Sequence, residues 1–86
     1  MTQLVMTFHT DPGHGWLEVN RGLMDALEVT PSGYSYQDAV NVYLEEDCDA
    51  ALLIDALKRR GISYKVKEMY ADPCFVRGLR HYRKED

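Results

Sequence analysis

The hydrophobic pattern changes its period in the middle of the chain. Residues 40–45 alternate apolar and polar side chains, the period of two that is typical of a strand with one buried face. In residues 50–57 the apolar side chains recur at helical spacing instead. Asp47 stands where a helix N-cap is expected, and Gly61 follows the last turn as a C′ residue does. This stretch predicts a strand that leads into a capped helix.

The N-terminal pattern predicts a hairpin and a short helix. Residues 4–9 alternate apolar and polar side chains, and residues 16–19 return as a second strand. The Asp-Pro-Gly sequence at residues 11–13 favours a turn, because proline presets one central dihedral and glycine accepts a positive φ at the next. Asn20 is predicted to cap a helix over residues 21–28.

The C-terminal third predicts two further strands. Residues 62–67 alternate, with Lys65 and Lys67 on the polar face, and Asp-Pro at residues 72–73 interrupts the pattern. Residues 74–79 are predicted to return as a last short strand, and residues 80–86 as a frayed tail. The element order ββαβαββ predicts one α+β domain over residues 1–86. We expect a two-layer sandwich, with a mostly antiparallel sheet of four to five strands and two helices on one face.

Composition and charge narrow the classes of function. Of the 86 residues 45% are hydrophobic, which indicates a folded globule, and no apolar run approaches the ~20 residues of a membrane helix. We expect a cytoplasmic protein without a membrane partner, in which Cys48 and Cys74 are free thiols. Residues 1–55 carry ten acids and one base, whereas residues 56–86 carry nine bases and four acids. The two halves either fold against one another or present an acidic face and a basic tail to partners.

The turn between the first two strands is one candidate metal site. His9, Asp11 and His14 supply two imidazoles and a carboxylate, a common ligand set for zinc or iron. A further ligand would come from residues 47–49, so this hypothesis predicts that the turn and the start of the second helix meet in space. The alternative is structural, with Asp11 capping the turn and the histidines covering the hairpin.

The acidic run at residues 45–49 is a second candidate. Helix capping accounts for most of its four carboxylates, and these carboxylates would raise the pKa of the Cys48 thiol and reduce its reactivity. Capping leaves Glu45 and Glu46 unexplained. Together with Tyr34, Tyr36 and Tyr43 they would form an acidic, aromatic surface that suits a partner rich in lysine and arginine. An ordinary acidic rim beside core tyrosines explains the same residues. The predicted partner-binding residues are Tyr34, Tyr36, Tyr43, Glu45, Glu46, Arg77, Arg80 and Arg83.

Four segments resemble a group of small uncharacterised proteins encoded by phages and prophages. They are HTDPGHGWLEV at residues 9–19, YSY at 34–36, VYLEEDCDA at 42–50 and FVRGL at 75–79. The resemblance transfers no chemistry. It implies a small accessory protein in a bacterial host cytosol, and proteins of that kind commonly act by binding, including the inhibition of host defence complexes.

Three hypotheses follow. The favoured one is a non-enzymatic protein that binds a host or phage protein complex, in particular one that handles nucleic acid, as an anti-CRISPR-like inhibitor does. The alternative is a small metal-dependent enzyme or metal-binding module that uses His9, Asp11 and His14. A minor alternative is a nucleic-acid binder that works through the basic tail, where bases and aromatic residues interleave. No nucleotide-binding motif is present, so no cofactor is expected, and a homodimer remains open.

Overall fold

A six-stranded sheet runs through residues 3–83, the part of the chain that the computed structural model describes. Its strands are β1 (Leu4–Thr10), β2 (Gly15–Asn20), β3 (Tyr36–Gln37), β4 (Asn41–Glu45), β5 (Tyr64–Tyr70) and β6 (Arg80–His81). The helices are α1 (Arg21–Ala26) and α2 (Ala50–Arg59), and a 3₁₀ turn spans Phe75–Gly78. The α+β prediction is confirmed, with one or two strands more than expected.

The strands are ordered β5-β1-β2-β4-β3-β6. β1 and β2 form the predicted hairpin, with Phe8 opposite Leu17 and His9 opposite Trp16. β5 joins β1 in parallel, because α2 carries the chain from the end of β4 across the sheet to its far edge. The other pairings are antiparallel, as predicted.

Both helices pack on one face of the sheet and share one apolar core with it. Leu53 and Leu57 of α2 are fully buried there, as the helical spacing of residues 50–57 predicts. The buried members of this core are Met6, Leu17, Val19, Met24, Leu27, Val42, Leu44, Ala50, Leu53, Ala56 and Leu57. The prediction that the two helices lie on one face is therefore confirmed.

The opposite face of the sheet is covered in part by residues 74–79, here called the covering segment. Val76 and Cys74 pack there against Trp16 and Tyr43 in a second apolar cluster. The predicted strand at these residues is wrong: the segment forms a 3₁₀ turn, in which the Leu79 N–H donates to the carbonyl of Val76. This turn directs the fully buried Val76 onto the sheet face, whereas a strand would extend the sheet edge.

The helix-end predictions hold in part. The Asn20 side chain accepts the Gly22 N–H at 2.7 Å, which confirms the cap of α1. That helix ends at Ala26 rather than at residue 28, because Glu28 has φ 57° and leaves the helical region.

The second helix starts later than predicted. Its N-cap residue is Asp49 and not Asp47, and the Asp49 side chain makes no capping hydrogen bond. Gly61 has φ 66°, the left-handed conformation expected of a C′ glycine.

The prediction that β4 has only one buried face is wrong. Both faces of the sheet are covered at this strand, so Tyr43 and Glu45, which were predicted to face solvent, are buried.

The C-terminal elements differ from the prediction in two ways. β5 runs from Tyr64 to Tyr70, so the strand predicted at residues 62–67 starts and ends later. Arg80 and His81 pair with β3, so the first part of the tail predicted for residues 80–86 belongs to the sheet. Residues 84–86 lie outside the described residues. Within residues 3–83, neither helix is long and apolar enough to cross a bilayer.

Candidate functional site

A cleft of about 350 Å³ opens on the covered face of the sheet, where β2 begins and β4 ends. It is lined by aromatic, acidic and basic side chains from four segments: His14, Trp16, Tyr34, Tyr36, Glu45, Asp47, Cys48, Arg77 and His81. We refer to it as the acidic–aromatic cleft. Four of the predicted partner-binding residues, Tyr34, Tyr36, Glu45 and Arg77, meet in this cleft.

The floor of the cleft is aromatic. Trp16 is buried and packs edge-on against Tyr36, with the ring centres 6.1 Å apart. His81 stacks on Tyr36 with its ring centre at 4.4 Å, while Tyr34 is 69% exposed. The Arg77 guanidinium carbon lies 5.2 Å from the centre of the Trp16 ring, which is the geometry of a cation–π contact. The Arg77 guanidinium is therefore a positive charge that the chain itself places in the cleft.

Asp11 holds this arginine in place. Its carboxylate accepts hydrogen bonds from Nε and Nη2 of Arg77, the latter at 2.9 Å, and from the backbone N–H groups of Gly13 and His14. These donors hold the pKa of Asp11 well below its usual range, with the Arg77 hydrogen bond as the main cause, and the carboxylate raises the pKa of Arg77. The prediction that Asp11 caps its turn is confirmed, and the same side chain ties the covering segment to the hairpin.

The acidic rim is organised by Glu45, which is mostly buried. One of its carboxylate oxygens accepts the backbone N–H groups of Asp47 and Cys48 at 2.8 and 2.9 Å. The other oxygen lies 3.9 Å from Nδ1 of His14. The Glu46 N–H also donates to the carbonyl of Gly15 at 3.0 Å. The hairpin turn and the approach to α2 therefore meet in space, as the metal hypothesis predicts.

The ligand set at that junction differs from the predicted one. The ligand atoms of His14, Glu45, Glu46 and Asp47 lie within 4.8 Å of one another. The structure does not bring His9 and Asp11 into this group. Nε2 of His9 is 2.8 Å from a carboxylate oxygen of Glu18, and Asp11 is bonded to Arg77.

Two serines that the sequence analysis did not single out hold in place the loop between α1 and β3, which carries Tyr34. The buried Asp49 carboxylate accepts the backbone N–H and the hydroxyl of Ser32, and the hydroxyl of Ser35. The Ser35 hydroxyl oxygen in turn accepts the N–H of Glu45 at 3.0 Å. This network places Tyr34 beside the acidic rim. In the sequence, the only sign of this network is Asp49, directly before α2. An acidic residue is also expected there because of the helix dipole.

The other predicted contact residues lie outside the cleft. Tyr43 is buried and donates its hydroxyl to Asp38 at 2.7 Å, so it supports the surface from beneath. Burial, together with that carboxylate, raises the pKa of Tyr43 to about 12, and the pKa of Asp38 is lowered chiefly by the N–H of Asn41. Glu46, Arg80 and Arg83 are exposed and do not line the cleft.

The thiols offer no activated nucleophile. Both cysteines are free, with Cys74 buried in the second core and Cys48 exposed at the cleft. Desolvation and the neighbouring carboxylates, first that of Glu45, raise the pKa of Cys48. The direction is the one that the sequence predicts, and it keeps the thiol protonated at neutral pH.

Comparisons of this chain with protein-family models, with curated proteins and with solved structures found no match. The acidic–aromatic cleft offers carboxylates and aromatic faces side by side, which suits a positively charged group with an apolar stem.

Proposed function

We propose that this is a non-enzymatic interaction protein that takes a lysine or arginine side chain of a partner protein into the acidic–aromatic cleft. The observation that carries the proposal is the convergence of Glu45 and Asp47 with the rings of Tyr34 and Tyr36 in one cleft. Aromatic faces attract cations through the ring quadrupole, and carboxylates add charge-assisted hydrogen bonds.

The charge balance of the cleft favours a cation. Arg77 is neutralised by its ion pair with Asp11. Glu45 and Asp47, in contrast, have no lysine or arginine in ion-pair contact among residues 3–83. A basic side chain entering from a partner would fill that role, and the aliphatic stem of the side chain would pack on the exposed ring of Tyr34.

The partner class rests on the chemistry of such a side chain and on the resemblance to phage-encoded proteins. Proteins that handle nucleic acid present lysine and arginine to phosphates. An acidic surface that occupies those residues competes with the nucleic acid for them. We therefore propose a host or phage complex of that kind in a bacterial cytosol, with a CRISPR-type defence complex as its most concrete version.

The direct test uses a short peptide containing arginine and lysine, with a norleucine peptide of the same length as the uncharged counterpart. Both are titrated into the ¹⁵N-labelled protein. We expect the basic peptide to shift the amide signals of the cleft residues and to bind about tenfold more tightly, since one charge-assisted hydrogen bond contributes ~1.4 kcal/mol. Equal binding of the two peptides, or shifts elsewhere on the sheet, would contradict the proposal.

Asp47→Asn is the matched variant, because Asp47 is exposed in the cleft, and Asp55→Asn is its control on the exposed side of α2. We expect the first to weaken the basic peptide several-fold and the second to leave it unchanged. Equal weakening by both would mean that net charge and not the cleft determines binding.

The partner itself can be tested by crosslinking. A photo-crosslinker at Tyr34 should capture a nucleic-acid-handling complex from a bacterial lysate, and Asp47→Lys should prevent that capture.

Binding of a divalent cation is the second candidate function, favoured by the proximity of the His14, Glu45, Glu46 and Asp47 ligand atoms. Native mass spectrometry with added Zn²⁺ or Mn²⁺ tests it. One ion per chain, lost in His14→Ala and retained in His81→Ala, would support a metal module. An unchanged mass and melting temperature on addition of metal would exclude that module.

No observation on residues 3–83 favours the nucleic-acid hypothesis for the tail, which stays a prediction.

A further inference from the structure

The two edges of the sheet are unequal. At one edge, β6 has only two residues, which is the usual way of limiting edge-to-edge pairing. At the other edge, β5 runs for seven residues, and within residues 3–83 no strand pairs with its outer side. A long open edge strand is a template for a further strand.

The outward-pointing backbone groups of β5 follow from its pairing with β1. The Leu4 N–H donates to the carbonyl of Ser63, and the Ala71 N–H donates to the carbonyl of Thr10. The backbone N–H and C=O groups of the odd-numbered residues in this stretch therefore point towards β1. Since successive residues alternate, the N–H and C=O groups of even-numbered residues such as Val66 and Glu68 point to the open side.

Exposed apolar side chains accompany this edge. Met69 and Tyr70 of β5 are 55% and 64% exposed, and Val66 is also exposed. Val5 and Phe75 are exposed as well, and they lie beside Lys65 and His9 respectively. Five of the nine large exposed apolar side chains of the described residues thus lie at or beside this edge, on both faces of the sheet, where an added strand would pack beside them.

The lysines of β5 argue against a second copy of this chain as the occupant. Two copies related by a two-fold axis would pair their β5 strands antiparallel. Pairing centred on Lys67 places that lysine opposite its own copy, and pairing centred on Val66 places Lys65 opposite Lys67. Pairing centred on Glu68 places two glutamates opposite each other. Every central register thus sets like charges across the pair, which is destabilising.

We infer that β5 accepts an extended, acidic segment of a partner protein, which adds a seventh strand to the sheet. Lys65 and Lys67 lie on one face of the strand, opposite Val5 and Thr7 of β1. An added strand with glutamate or aspartate at alternate positions would pair with both lysines, and apolar residues near its end would cover Met69. This surface is separate from the acidic–aromatic cleft and of opposite charge, so it does not depend on the proposed function.

The test uses a β-forming peptide of about seven residues that alternates glutamate with valine or threonine, and a counterpart with lysine in place of glutamate. We expect the acidic peptide to shift the amide signals of Val66 and Glu68 and to slow their hydrogen exchange. It should bind about tenfold more tightly than the lysine peptide, because two cross-strand charge pairs change sign between them.

Two variants keep the inference falsifiable. The double variant Lys65→Glu and Lys67→Glu should reverse the preference, so that the lysine peptide binds more tightly. Val66→Pro removes an outward N–H without touching the bonds to β1, and it should abolish binding of both peptides while the protein still unfolds cooperatively. Absence of any change at the Val66 and Glu68 amides would overturn the inference. Concentration-dependent dimerisation that protects the same amides would overturn it in favour of a second copy.

Discussion

Asp11 and Arg77, 66 positions apart in the sequence, form the ion pair that fastens the covering segment to the hairpin turn. Both groups are also close to the acidic–aromatic cleft, since Arg77 lies on the Trp16 ring. The pair therefore links the stability of the second apolar cluster, which contains Val76 and Trp16, to the shape of the candidate site.

Replacing Asp11 with asparagine should lower the melting temperature at neutral pH. The pKa of Asp11 in the folded state lies below its unfolded value, so this contribution to stability is present above about pH 4 and is lost as the pH falls further. Thermal melts of both proteins across acidic pH should therefore converge. A difference that persists unchanged at low pH would contradict the ion-pair explanation.

The matched controls for that prediction separate charge from geometry. Asp55→Asn removes an exposed carboxylate that makes only a 3.8 Å surface pair with Arg59, and it should have little effect. Arg77→Lys keeps the positive charge but cannot donate two parallel hydrogen bonds, so it should retain only part of the stability that the ion pair contributes.

Truncating Leu57 to alanine should destabilise the protein by about 2–5 kcal/mol, because the side chain is fully buried between α2 and the sheet. Leu52 on the same helix is 51% exposed, and its truncation should cost less than about 0.5 kcal/mol. Urea unfolding of both variants measures the difference. Similar losses at the two positions would mean that the helix packs on the sheet through another face.

Gly15→Ala tests a close approach at the start of β2. An added Cβ would lie 2.5 Å from the tip of the Phe8 ring, so the ring or the strand must shift, at a cost of about 1–3 kcal/mol. Gly33→Ala is the control, because a Cβ there meets nothing within 4 Å. Since the Gly15 carbonyl also receives the Glu46 N–H, the first variant should weaken binding of basic peptides as well.

Tyrosine ionisation offers a spectroscopic test of the buried pair between Tyr43 and Asp38. With its pKa raised to about 12, Tyr43 should appear as a late component when absorbance is followed through alkaline pH. Tyr43→Phe should remove that component, and Tyr34→Phe, which alters an exposed ring, should leave it in place. If the late component survives in Tyr43→Phe, the assignment is wrong.

Local signals were sufficient for much of the fold. Asn20 and Gly61 were placed correctly because capping depends on residues within one helical turn. The buried stripe through Leu53 and Leu57 was recognised from its spacing. The covering segment was misinterpreted because a short apolar stretch has no period that separates a strand from a turn packed on a sheet.

The candidate site was predicted only in part. Tyr34, Tyr36, Glu45 and Arg77 converge in one cleft, whereas Tyr43 lies beneath it and is buried. The proposed ligand trio of the hairpin separates, because His9 turns to Glu18 and Asp11 to Arg77. Alternation along a strand shows which side chains share a face, but it does not show which partner each one meets across the sheet.

The sequence by itself determined the type and approximate position of the hairpin and the two helices, and the opposite charges of its halves, since these depend on neighbouring residues. Only the tertiary structure decided that His14 meets Glu45, that Arg77 pairs with Asp11 and that β5 lies open at one edge. These relationships depend on strand order and register between distant segments, which short-range periodicity does not specify.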